Sequence, residues 1–180
     1  QALREGHIVP VCFASASSGA GVAELLEVFT SLAPNPLEAN PLEMVRDEGA
    51  GSETFEVLPE RDSRILAHVF KVDFDPFVGK IAVFRIHRGT VTPDTQLFVD
   101  EDRRGFRVGH LMRLQGKKLE ETDQAVAGDI CAITKVEEVH WGSILHDSHE
   151  DDHVHLKPGW FPGPMVGLAL QAKRRGDEQK

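Results

Sequence analysis

The sequence predicts a mainly β protein: a small antiparallel β-barrel preceded by a strand and a helix of α/β type. Three observations carry this prediction. Between residues 63 and 150, short apolar or alternating runs follow one another at close spacing, with Gly, Pro and Asp turn signals between them. Ahead of them, the continuous apolar run "HIVPVCFAS" (7–15) leads through Gly19 and Gly21 to Val22, Leu25, Leu26 and Phe29, which recur at helical spacing. The stretch between these two parts is rich in Pro, Gly and acidic residues and holds few large apolar ones.

In chain order, 7–15 reads as a buried strand and 22–29 as one face of an amphipathic helix. The prolines of "APNPLEANPL" (33–42) close that helix. "RDEGAGSETFEVLPERD" (46–62) reads as a mobile loop. "RILAHVFKVDF" (64–74) and "GKIAVFRIHRG" (79–89) read as two strands of a hairpin whose turn, "DPFV", is set by Pro76 and Gly79. Runs in 90–100, 105–116, 128–134 and 142–147 complete a series of six strands, and "FPGPMVGLALQAK" (161–173) starts another strand-like run. The expected division is 1–36 as the end of an α/β domain, 37–62 as linker, 63–150 as the barrel, and 151–180 as linker with a further strand. A lone strand cannot satisfy its own backbone groups, so both ends read as cut from a longer protein, with self-association through them as one outcome.

With 180 residues, 41% of them hydrophobic, the chain can bury a real core. Its net charge of -9 argues against a general nucleic-acid coat protein, so any RNA contact requires a local basic patch. Cys12 and Cys131 lie in apolar runs, which predicts buried, reduced thiols and a cytoplasmic setting. No apolar run approaches the roughly 18 residues of a membrane span.

Four motifs bear on function. The turn at 15–21 has the strand–glycine–helix layout of a phosphate loop, but Val22 and Ala23 stand where Lys and Ser/Thr would be needed. Arg103, Arg104, Arg107, Arg113, Lys117 and Lys118 form a basic island opposed only by Asp102; it reads either as an RNA contact or as a charged strand edge. Alternation places Phe106, Val108 and Met112 on one face and Arg107 with Arg113 on the other. Phe77, in the "DPFVGK" turn, either packs on the barrel or meets a partner at its rim. Five histidines, at 140, 146, 149, 153 and 155, crowd among acids; a solvated loop is expected, with no metal, although His153 and His155 have a chelating spacing.

"FKVDFDPFVGKIAVFRIHRGTV" (70–91) resembles the opening of the second domain of the bacterial elongation factor G family. Arg85, Ile86, Gly89 and Val91 match a strand ending shared by translational GTPases, and "DPFVGK" (75–80) is more particular to elongation factor G. "AVAGDICAI" (125–133), "SA" at Ser15 and Ala16, and "FPGPMVGLALQAK" resemble further family segments in order; "GSIL" (142–145) departs from the usual "GDTL". The resemblance implies a barrel of the translation-factor type behind the last strand and helix of a GTPase domain. It implies a parent protein that uses GTP and Mg²⁺ to drive movement of tRNA and mRNA on the ribosome. Ser15 would brace a loop beside the guanine base, Ala16 would offer its N–H, and Arg103, Arg107 and Arg113 would meet small-subunit ribosomal RNA. This stretch itself is expected to be non-catalytic and to hold no cofactor, and neither DNA nor a membrane is an expected partner. A paralogue that only binds protein or metal is the alternative.

Overall fold

The computed structural model describes residues 2–3, 6–38, 42–49, 51–116, 118–157 and 163–169, with Gln171 and Lys173. The chain divides into two compact units, 1–42 and 43–180. The first holds one helix, α1 (Val22–Leu32). Gly21 precedes it at φ 73°, and a Cβ there would lie 2.2 Å from the Phe13 carbonyl oxygen, so only glycine closes this turn. The run 7–15 forms no strand. No described strand offers it a ladder, and Val9, Val11, Cys12 and Phe13 are exposed. Cys12 therefore departs from expectation, whereas Cys131 is buried. Leu26, Phe29 and Leu32 of α1 are likewise exposed.

In the second unit, β1 (Leu42–Glu48) and β2 (Gly51–Val57) occupy most of the stretch expected as a mobile linker loop. Few apolar residues suffice here, because Met44, Val45 and Val57 are all buried and β1 gains a second neighbour from the far end of the unit. The remaining strands are β3 (Leu66–Asp75), β4 (Gly79–Arg88), β5 (Thr90–Val91), β6 (Gln96–Val99), β7 (Phe106–Arg107), β8 (Leu111–Gln115), β9 (Lys118–Glu121), β10 (Ala125–Val126), β11 (Ile130–Thr134), β12 (Ile144–His146) and β13 (Val154–Leu156).

Eight of them form an antiparallel, half-barrel sheet in the order β7-β6-β12-β3-β4-β11-β8-β9, with β5 and β10 paired beside it. Alternation turns Ala67 and Val69, Phe84 and Ile86, Cys131 and Ile133 into one core with Leu97, Leu111 and Leu145. Each large side chain fully buried there contributes about 1.5–3 kcal/mol.

Met44, Leu66, Ile144, His146 and Val154 are buried outside that cluster. Ile144 and Leu145 are adjacent in β12 and both fully buried, so this part of the barrel wall is covered on both faces. The cover is consistent with the sheet β13-β1-β2, in which Met44 pairs with Leu156 and Arg46 with Val154. Strand β13 lies in a segment expected as linker. Residues 163–169, expected as part of a strand, form none and are exposed, and 161, 162, 170 and 172 lie outside the described residues.

Candidate functional site

The turn before α1 is held by its own backbone. Ser15 N–H donates to the Ala20 carbonyl at 2.8 Å and Gly19 N–H to the Ser15 carbonyl at 2.8 Å, while Ser15 Oγ accepts from Ser18 N–H at 3.4 Å. Ser15 thus braces the loop, and the exposed Ala16 N–H has no partner among the described residues. The turn thus presents a free backbone donor beside small side chains. Val22 and Ala23 offer no side-chain donor to a phosphate, and no group of three or more His, Cys, Asp or Glu that could hold a metal ion occurs among the described residues.

The basic island is divided between a loop and separate strands, and Lys117 lies outside the described residues. Arg103 and Arg104 are exposed in the connection between β6 and β7, and Arg107 on edge strand β7 reaches Asp94 at 3.6 Å. Arg113 lies on β8, six strands away in the sheet order, opposite Cys131 and Glu120. Because the strand breaks between Arg107 and Leu111, the expected alternation resets. Leu111 is buried in place of Met112, and Arg113 shares its face with Leu111 and Cys131. Burial pushes the Cys131 thiol up to about 11, helped by Asp129 and opposed by Arg113.

The histidine-rich stretch contains β12, a 3-10 turn and β13 rather than loop alone, with His140, His149 and His153 exposed as expected and His146 buried. Residues His149–Asp151 form a single 3-10 turn, and Ser148 Oγ accepts from Glu150 N–H at 3.3 Å. Asp151 is fully buried and receives Arg46 Nη2 at 3.0 Å and Arg88 Nη2 at 2.9 Å, tying β1 to β4. Arg88 Nε also donates to the Arg64 carbonyl at 2.9 Å, and Arg64 pairs with Glu150. His146 is fully buried: Nε2 lies 2.7 Å from the Asp100 carbonyl, which makes it the donor, and Nδ1 has no partner. His153 meets Glu101 at 3.2 Å and His155 meets Asp47 at 3.8 Å, so the two histidines with chelating spacing serve separate carboxylates.

A second histidine pair lies on β3 and β4. The rings of His68 and His87 stack with centroids 4.9 Å apart, and one donates to the other across 2.6 Å. Burial, then His68, then Arg85 lower the His87 pKa to about 3; burial and Arg85 lower that of His68. Sequence reading passed over this pair, and over Arg46 and Asp151, which are 105 residues apart. For Arg46 and Asp151 the only signal was charge within segments otherwise read as loop or linker.

Known proteins place these features. Residues 64–148, from just before β3 to just past β12, match the family described as elongation factor G domain 2. Two relatives span nearly all of this chain. The "Elongation factor G-like protein" of Mycobacterium tuberculosis is 33% identical over 100% of this chain and 27% of its own length. "Elongation factor G 2" of Syntrophomonas wolfei is 33% identical over 97% of this chain and 24% of its own length. A crystal structure of a Thermus thermophilus protein superposes with a TM-score of 0.67 at 30% identity, over 98% of this chain and 24% of that one. The chain thus spans about a quarter of the length of the proteins it matches. Family match, near-complete coverage and the half-barrel sheet agree: the chain belongs to the elongation factor G family, and residues 64–148 are its second domain.

Proposed function

We propose that the whole protein is a cytoplasmic, ribosome-dependent GTPase that drives translocation of tRNA and mRNA, and that this stretch is its ribosome-docking and interdomain barrel. The match of 64–148 to elongation factor G domain 2 carries the reading. GTP and Mg²⁺ are held by residues beyond those present here, with Ser15 and Ala16 contributing only beside the base. Arg103, Arg107 and Arg113 contact small-subunit ribosomal RNA. Their exposure supports this, and their placement on one loop and two strands favours a few separate phosphate contacts.

Each phosphate contact contributes a slope of roughly -0.7 to -0.9 in log affinity against log salt, so three arginines give weak, salt-sensitive binding. The remaining domains raise the barrel's effective concentration on the ribosome. The test is Arg103→Glu, Arg107→Glu and Arg113→Glu together in the whole protein. Ribosome binding and ribosome-stimulated GTP hydrolysis should both fall; wild-type values for both would move the docking surface elsewhere. A second reading, a paralogue that binds protein or metal without translocating, draws on the relative described only as elongation factor G-like and on the histidine-rich stretch. Absence of translocation by an intact, ribosome-bound protein would favour it.

A further inference from the structure

The geometry points to a binding site for a small phosphate monoester on the outer face of the β3–β4 pair, formed by Arg85, His68 and His87 with Phe70 as its wall. One cross-strand row defines it. Ile144 on β12 pairs with His68 on β3, His68 with Arg85 on β4, and Arg85 with Ile130 on β11. Side chains in such a row share a face, so Arg85 stands between an imidazole and an isoleucine. Two register shifts bracket the row. One, between Leu66 and Ala67, leaves His87 without a directly opposed residue; the other, between Val69 and Lys71, does the same for Phe70. Bulges of this kind re-aim side chains. Here His87 meets His68 across 2.6 Å, and the Phe70 ring lies 5.8 Å from the His68 ring.

Arg85 is a cation without a counterion. Of the three half-buried arginines among the described residues, Arg46 and Arg88 share Asp151, while no carboxylate or carbonyl receives the Arg85 guanidinium. The neighbouring elements supply no acid. The row ends in isoleucines, Asp129 Oδ2 accepts from Val126 N–H at 3.0 Å, and Asp151 is taken by the other two arginines. The histidine pair adds a hydrogen-bond donor. A neutral imidazole has one N–H, and the ring that accepts between the two keeps its own on the outer nitrogen. Neither His68 Nε2 nor His87 Nδ1 is bonded among the described residues or shut away from solvent.

The charge balance selects the ligand. Arg85 supplies one positive charge, and the pair supplies a second by taking up a proton when an anion arrives; until then burial above all, with Arg85, keeps both rings neutral. A phosphate monoester, close to a dianion at neutral pH, answers both charges. A diester or a carboxylate carries one charge, answers Arg85 alone and leaves the pair unused. Phosphate oxygens also receive two parallel N–H bonds from a guanidinium. Phe70, 39% exposed, offers an apolar face to the organic part of the ester. The same Arg85 repels a metal cation from the two rings.

The test is calorimetric titration of the 180-residue chain with phenyl phosphate, diphenyl phosphate and a uridine oligonucleotide lacking terminal phosphates. Between pH 6.5 and 8 phenyl phosphate should bind with uptake of a proton, read as a heat that varies with the ionisation enthalpy of the buffer, and its affinity should fall as pH rises. Diphenyl phosphate should bind at least about tenfold more weakly, and Arg85→Gln should weaken phenyl phosphate by about tenfold or more. His87→Phe should remove the proton uptake. NMR of the His68 and His87 rings at pH 7 reads the unaltered chain, so folding of the variants is not needed: phenyl phosphate should shift both rings toward the protonated form. The proposal is overturned if phenyl phosphate does not bind, if it binds without proton uptake, if Arg85→Gln leaves it unchanged, or if the diester binds equally. An oligonucleotide that binds as tightly as phenyl phosphate and displaces it would overturn it in favour of an RNA backbone at this face.

Discussion

Gly89 shows how one position in a motif acquires its identity. It sits at φ 84°, and a Cβ would fall 2.7 Å from the Ile65 Cα, while its N–H donates to the Glu60 carbonyl at 2.6 Å. Both the left-handed backbone and the close crossing exclude a side chain. Gly89→Ala should therefore cost about 2 kcal/mol or more, read as a lower urea midpoint with an unchanged slope. The His68–His87 pair sets a pH dependence of definite sign. Both folded-state pKa values lie below the ordinary 6.5, His87 at about 3, so the unfolded chain binds more protons below neutrality. The stability they provide is complete above pH 6.5 and is lost as pH falls toward 3. Urea midpoints should drop between pH 7 and pH 5, above the carboxylate range, and His87→Leu should reduce that drop.

Among the elements, the small sheet depends on one carboxylate. Asp151 is buried between two arginines, and breaking such a node by removing one partner leaves charge uncompensated. Asp151→Asn should destabilise the protein by about 3 kcal/mol in urea unfolding. Trypsin should cut at exposed Arg61 before Arg46, whose guanidinium is held by Asp151; early cleavage at Arg46 would show that β1 is loosely attached. The strands of the barrel were legible because their own side chains announce them: 64–74, 79–89 and 128–134 alternate or run apolar between turn residues. Strands β1, β2 and β13 were not, because β1 and β13 pair from opposite ends of the unit and all three rest on a few buried residues, such as Met44, Val57 and Val154, set among acids and histidines. The opposite failure occurred at 7–15, where an apolar run looked like a strand but meets no ladder. At the site, the arginines proposed for RNA contact were named from their crowding in sequence, yet the break between β7 and β8 sends Arg107 and Arg113 to different strands. No local pattern encodes that separation.

On the scale of the whole molecule, exposure is unevenly distributed. α1 and the run before it bury none of their large side chains, whereas the second unit covers parts of its wall on both faces. Hydrogen exchange should follow that contrast, with protection concentrated in β3, β4, β11 and β12 and little in 7–32; uniform protection would contradict it. The pairing of β1 with β13 has a mechanical meaning. Met44 lies opposite Leu156, and Lys157 reaches Glu43 at 3.1 Å, so the chain enters and leaves the barrel unit side by side at one end of a short antiparallel ladder. A tension applied between the incoming and outgoing chain would load three facing residue pairs in series and peel them one at a time. The barrel would feel almost no force until that zipper had opened. Its surface would keep its shape while the flanking chain is pulled, with the ladder acting as a mechanical fuse.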